Sequence, residues 1–284
     1  MLAALLALLS SFTWGTSSFL AGVETRTRSV WHVTALSQIM AAAASALGLL
    51  AARQAPPGGW DLALLVLTGI ATAAGLVMFY KALAIGTMSV VAPIIAAEVL
   101  IPVAAGILLG ERPGLLAYVG MVTTVGGVVL VSLTPRTARR DRSREHHRRA
   151  RLAVILAVLT AIAWGFMLLV YGTIGKENPF WTEFDTRIAS AAVLIGYVLL
   201  TGRGLSLKGQ NVPVLAAVGI LLSVANFLFI AATSIGYLSV TSILGSLSPV
   251  VVTAYAQLLL HERLCPRQWA GFAAVLAGIV LLSV

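Results

Sequence analysis

Residues 87–109 read TMSVVAPIIAAEVLIPVAAGILL. One ionisable side chain, Glu98, and two prolines, Pro93 and Pro102, interrupt an otherwise apolar run. A helix crossing the hydrocarbon core needs about 20 mostly apolar residues, and this stretch has that length. The rest of the chain agrees. Of 284 residues, 59% are apolar and 10% are charged, with a mean hydropathy of +0.98. Soluble domains carry roughly 45–50% apolar and about 25% charged residues. Such a chain cannot solvate itself, which excludes a soluble enzyme, a nucleic-acid binder and a disordered tail. The pI of about 10.4 is no sign of nucleic-acid binding. Residues 136–151 alone hold eight arginines, against Asp141 and Glu145. Cys265 is the single cysteine, so no intrachain disulfide can form.

Outward from 87–109, similar runs fall near 2–22, 31–52, 61–82, 114–133, 152–173, 181–201, 212–233, 239–260 and 266–284. The prediction is an all-α integral membrane protein of ten transmembrane helices. The connections are short and carry breakers or charges, as at 56–59, 111–114 and 176–179. The runs are continuously apolar, whereas a membrane barrel alternates in and out. The first run lacks a basic leader and contains Trp14-Gly15-Thr16-Ser17-Ser18, so it reads as a retained helix. Small residues at 41–44 and at Gly120, Gly126, Gly127, Gly271 and Gly278 suit close helix approach in lipid.

The two halves match at an offset of 150. Trp14-Gly15 aligns with Trp164-Gly165, Trp31 with Trp181 and Gly69 with Gly219. Ala82, Gly86 and Ser89 align with Ala232, Gly236 and Ser239. After one inserted residue, Glu111-Arg112 aligns with Glu262-Arg263, and Gly120 and Gly127 with Gly271 and Gly278. The expected organisation is a first repeat at 1–133, an arginine-rich linker at 134–151 and a second repeat at 152–284. Each unit has five spans, an odd number, so the second copy enters the membrane inverted. Inverted repeats build carriers with a site between the halves near the midplane.

The duplicated Trp-Gly, the Ala-x-x-x-Gly before a serine, and Leu-(Gly/His)-Glu-Arg before the last span of each unit resemble the EamA family. That family lies within the drug/metabolite transporter superfamily. The stretch from Tyr80 through Ala92-Pro93-Ile94 to Gly110-Glu111-Arg112 is its most typical part. The resemblance implies a transporter of amino acids, sugars, nucleotides, drugs or other metabolites. It also implies an arginine near the start of each repeat's second span. Arg187 supplies one in the second repeat, and Gln38 stands near that place in the first.

Basic loops face the cytoplasm. The loops after spans 1, 3, 5, 7 and 9 carry fourteen Lys and Arg, against three after the others. The linker is therefore expected in the cytoplasm, the termini outside, and the chain in a plasma or inner membrane. Glu111 and Glu262 sit at turns where each can cap the following helix. Lys81 lies at a span end and can snorkel.

Candidate site residues follow from polarity at depth. Glu98 sits mid-span, where an ionised acid costs about 2.5–3.5 kcal/mol or more. It reads either as a proton-coupling or substrate-binding acid, or as a buried neutral carboxyl. Proline frees the carbonyl four residues earlier, which makes spans 4 and 9 the irregular pair. Ser242, Ser246, Pro249, Thr253 and Gln257 form a polar stripe at helical spacing. Span 8 adds Ser223, Asn226 and Thr233, span 6 adds Thr160, Trp164 and Tyr171, and span 1 adds Trp14 and Ser17. Together they either line a cavity or glue helices. The tryptophans either stack on substrate or pack in the core. Arg187 either pairs with Glu183, four residues away, or attracts an anionic group.

The favoured function is a secondary active carrier for a small metabolite. It would work by alternating access, as an exporter more than an importer, with proton coupling as one option. A channel or a lipid-translocating protein is the alternative. No phosphate-binding loop, H-E-x-x-H or G-x-S-x-G motif occurs, so no enzyme, metal or cofactor is implied. The expected partners are a small-molecule substrate and the bilayer, with a monomer or homodimer sufficing.

Overall fold

A computed structural model describes residues 1–25, 28–85, 94–95, 97–132, 144–202, 211–260 and 266–283. Every regular element among them is helical. The chain runs through α1 (Leu2–Thr25), α2 (Val30–Ala52) and α3 (Gly59–Ile85). A 3-10 turn (Ala97–Val99) leads into α4 (Leu100–Leu108), followed by α5 (Leu115–Ser132). The second half holds α6 (Arg144–Thr173), a 3-10 turn (Ile174–Lys176), α7 (Pro179–Leu200), α8 (Val212–Ile235), α9 (Leu238–Gly245), α10 (Ser248–Leu260) and α11 (Pro266–Ser283).

Six segments are long and apolar enough to cross a membrane: Leu2–Thr25, Trp31–Ala52, Gly59–Phe79, Arg148–Lys176, Val212–Ile235 and Leu238–Leu259. The remaining expected spans depart for different reasons. α5 and α11 are helices of 18 residues whose apolar stretches are shorter. α7 has 22 residues but carries Glu183, Asp185 and Arg187. The run 87–109 is helical only in part among its described residues; Ser89 and Pro93 lie outside them. Large apolar side chains face outward along most helices, among them Leu5, Phe12, Ile70, Val122, Ile162, Ile220 and Val280. In water such a surface would aggregate, whereas in lipid it is the solvated face.

The prolines explain two breaks. Residues 246–247 separate α9 from α10, and the amides of Val250 and Val251 both donate to the Leu247 carbonyl, at 2.9 and 3.3 Å. Pro249 has no N–H to continue the ladder across that point. The break falls inside the polar stripe expected along span 9, between Ser242 and Gln257. In the first half, Pro102 occupies the first turn of α4, where a missing N–H costs nothing.

Helices pack mainly across the two halves, and they do so reciprocally. α1 lies along α8 as α6 lies along α3; α2 lies along α7, and α5 along α11. The atomic contacts repeat at the same offset of 150. Ser10 Oγ donates to the Ala225 carbonyl at 2.7 Å, and Thr160 Oγ1 donates to the Gly75 carbonyl at 3.3 Å. Trp14 tilts against Phe229 with centroids 5.6 Å apart, and Trp164 against Phe79 at 5.4 Å. The Trp-Gly pair owes its glycine to this packing. A Cβ at Gly15 would lie 2.5 Å from Val251 Cβ, and one at Gly165 would lie 2.5 Å from the Glu98 carbonyl oxygen.

Candidate functional site

α7 starts at Pro179, whose missing N–H suits the first helical position. Gln54, from the turn after α2, completes that terminus. Its Oε1 accepts from Phe180 N at 3.3 Å, its Nε2 donates to the Glu177 carbonyl at 3.1 Å, and its own carbonyl accepts from Trp181 Nε1 at 2.9 Å. The helix is thus fixed against the first half before its charged turn begins.

Four residues apart on one face, Glu183 and Arg187 pair through Nε and Oε1 at 2.9 Å. Both are buried, with exposures of 0% and 2%. An ion pair out of water is tolerated only when its remaining polar atoms are also satisfied. Three other helices supply them. Arg187 Nη1 donates to Gln38 Oε1 on α2 at 3.0 Å. Glu183 Oε2 accepts from Asn226 Nδ2 on α8 at 2.7 Å and from the Tyr171 hydroxyl on α6 at 3.1 Å. Asn226 in turn accepts through Oδ1 from Trp14 Nε1 on α1 at 2.8 Å. One connected, electrically balanced cluster therefore joins α1 and α2 of the first half to α6, α7 and α8 of the second.

This arrangement gathers Trp14, Tyr171, Arg187 and Asn226 from the candidates read in the sequence. Of the two options for Arg187, the structure has the pair with Glu183. The sequence reading missed Glu183 Oε2 as the hub, and it noted Gln38 only as the residue standing where an arginine was expected. Other candidates lie apart. Ser17 Oγ donates to the Val218 carbonyl at 2.9 Å, and Ser246 Oγ to the Ile243 carbonyl at 2.9 Å. Ser223 likewise donates to the Ala41 carbonyl at 3.0 Å. These hydroxyls bond backbone across or along helices. Trp164 packs with Phe79 among Ala82, Ile95 and Ala157. Gln257 is half-buried on α10, and the side chain of Thr253 lies outside the described residues.

Glu98 sits in the 3-10 turn before α4, with its carbonyl against Gly165. Its Oε2 is buried without a hydrogen-bond partner among the described residues. A buried carboxyl oxygen in that state is costly. Two apolar grooves of about 350 and 240 Å³ lie elsewhere. The first runs between α3 and α6, lined by Leu67, Met78, Leu159 and Phe166. The second lies between α1, the α9–α10 break and α11. Neither touches the charged cluster.

Glu111 does not cap α5, the helix that follows it. Its carboxylate accepts from the amides of Leu238 and Ser239, the latter at 2.9 Å, and from the Ser239 hydroxyl at 2.6 Å. It caps α9, in the other half. Glu262 lies outside the described residues.

Known proteins place this architecture. A crystal structure of a protein 17% identical in sequence superposes with a TM-score of 0.79, covering 98% of this chain and 95% of that one. At that identity the likeness speaks for the fold alone. Uncharacterized protein MJ1333.1 of Methanocaldococcus jannaschii is 26% identical over 133 residues, which are 46% of this chain and 96% of the relative. The EamA-like transporter family matches residues 1–133 and again residues 151–284. With its outward apolar faces, the chain is a multi-pass membrane protein, and it belongs to the EamA-like transporter family.

Proposed function

We propose that the protein is a secondary active carrier that moves a small metabolite by alternating access. Its two repeats, 1–133 and 152–284, each span the membrane five times and are inverted relative to one another. The observation that carries this reading is the reciprocity of contacts across the halves, from Ser10–Ala225 with Thr160–Gly75 to Trp14–Phe229 with Trp164–Phe79. A family match to each half, and a relative about as long as one half, support it further. Interrupted helices in corresponding positions of inverted repeats flank substrate sites in carriers. Glu98 before α4 and the break before α10 stand in that relation, since Gly165 abuts Glu98 as Gly15 abuts Ser248.

In this reading the substrate sits between the interrupted helices, the linker 134–151 faces the cytoplasm and the termini face outward. The direction is export. Glu98 is the acid that meets the substrate or the coupling proton. The buried cluster around Glu183 is a joint between the halves, since its polar atoms serve one another.

A ligand panel scored by thermal shift on purified protein, followed by uptake into proteoliposomes, tests the function. Saturable uptake of a ligand that raises Tm is expected, whereas flux linear in concentration would point to a channel. Glu98→Gln is expected to keep the melting temperature but lose pH-driven accumulation. Wild-type uptake by that variant at every pH would remove Glu98 from the mechanism.

A further inference from the structure

The strap from Glu111 to α9 joins elements of opposite halves. α4 ends in a Schellman turn: Glu111 N donates to the Gly106 carbonyl at 3.0 Å, and Gly110 N to the Ile107 carbonyl at 3.1 Å, with Gly110 at φ 99°. This turn fixes the backbone of Glu111 on the end of α4. Its carboxylate then reaches over Gly106, where a Cβ would stand 2.5 Å from Oε2. Across the gap, α9 is preceded by the N-cap residue Tyr237, whose side chain makes no capping bond. Glu111 supplies the missing acceptors. It takes both the Leu238 and Ser239 amides and the Ser239 hydroxyl, and it adds a negative charge at a helix N-terminus.

α9 is also a separate limb. It is 8 residues long and bounded by a short link from α8 at one end and by the break at residues 246–247 at the other. Of its residues, Leu238, Ser239, Thr241, Ser242, Ile243, Leu244 and Gly245 are all buried. A short limb with a hinge behind it and a charged strap at its tip can move as a unit when the strap is released.

We propose that Glu111 is a positioning residue that straps α9 against α4, so that its release opens a path along α9 to the break at residues 246–247. This rests on the carrier reading, and it names the contact that holds one side of the carrier closed. Gly106 belongs to the device, because any larger residue displaces the carboxylate.

The test is thiol accessibility, which needs no substrate and so can fail independently of any uptake result. Single cysteines are placed at Ser242, at Ser45 and at Arg112 in a Cys265→Ser background. Position 242 lies one turn beneath the strap. Position 45 is buried in α2, away from α9, and position 112 is exposed and marks which face the reagent reaches. With a membrane-impermeant maleimide applied from the face that labels position 112, position 242 is expected to react slowly in the otherwise unaltered protein. Glu111→Gln replaces an acceptor oxygen with a donor and should raise that rate on the order of tenfold, as loss of a charged hydrogen bond does. Gly106→Ala should act in the same direction by displacing the carboxylate while leaving its chemistry intact. Ser239→Ala, which removes a single bond, should raise the rate about threefold and serves if Glu111→Gln does not fold. Labelling of 45 should stay unchanged throughout. Unchanged labelling at 242 in folded variants, or an equal rise at 45, would overturn the proposal.

Discussion

Trp14 and Trp164 occupy matching places in the two halves, each tilted against a phenylalanine of the other half. Their surroundings differ in chemistry. Trp14 Nε1 donates to Asn226, which leads to Glu183, Tyr171, Arg187 and Gln38. At the offset of 150, the counterparts of Asn226, Glu183 and Tyr171 are Leu76, Val33 and Ala21. Among the described residues, Trp164 packs in an apolar group with Phe79, Ala82, Ile95 and Ala157. The same helix packing supports a polar joint on one side and an apolar one on the other. Backbone approach is set by small residues shared by both repeats, such as Gly15 and Gly165. The charged pair of the cluster beside Trp14 comes from the second half, on α7.

The largest expected effect breaks the polar side. Arg187→Leu or Glu183→Leu alone leaves a buried charge without its partner and should cost about 3–5 kcal/mol. The double variant should cost much less than the sum, because it converts the joint toward the apolar chemistry of its counterpart. Thermal melts of detergent-purified protein measure this. Additive losses would mean that the two residues do not act as a pair.

A smaller effect exchanges single positions between the sides. Asn226→Leu installs the residue found at 76 and strands Trp14 Nε1 and one acceptor site on Glu183, for about 1–3 kcal/mol. The reverse exchange, Leu76→Asn, buries an amide among apolar residues and should cost a similar amount. Equal stability of Leu76→Asn and the unaltered protein would show that the position matching Asn226, packed against Ala35, Ala73, Leu194 and Val198, is not apolar.

The smallest effect separates the indoles themselves. Trp14→Phe loses a partly buried hydrogen bond worth about 1 kcal/mol in addition to ring area. Trp164→Phe should lose mainly area, so its Tm should fall less. The reverse order would contradict the assignment of the polar joint to Trp14.

Helix positions were legible because apolar runs of membrane length have few alternatives, and the helices Leu2–Thr25, Val30–Ala52 and Val212–Ile235 cover the runs read at 2–22, 31–52 and 212–233. Pro249 announced the break between α9 and α10 for the same local reason. The cluster was legible only where it was local. Glu183 and Arg187 are four residues apart on one helix, so their pairing follows from helical geometry. Trp14 and Asn226 are 212 residues apart, and Gln38 and Arg187 are 149 apart, so only the packing of α1 and α2 on α7 and α8 brings them together. Glu111 illustrates the limit. The nearest helix start in sequence is α5, yet the turn at Gly110 aims the carboxylate at α9, and no local pattern encodes that target.

The carrier reading is tested most directly by counterflow. Proteoliposomes are preloaded with an unlabelled ligand found by thermal shift, then diluted into trace labelled ligand. Two halves that alternate about one site must exchange solute across the membrane. Labelled ligand should therefore accumulate transiently above its outside concentration and then decay, with saturation as the load is raised. Monotonic equilibration without overshoot, at a rate linear in concentration, would contradict the account.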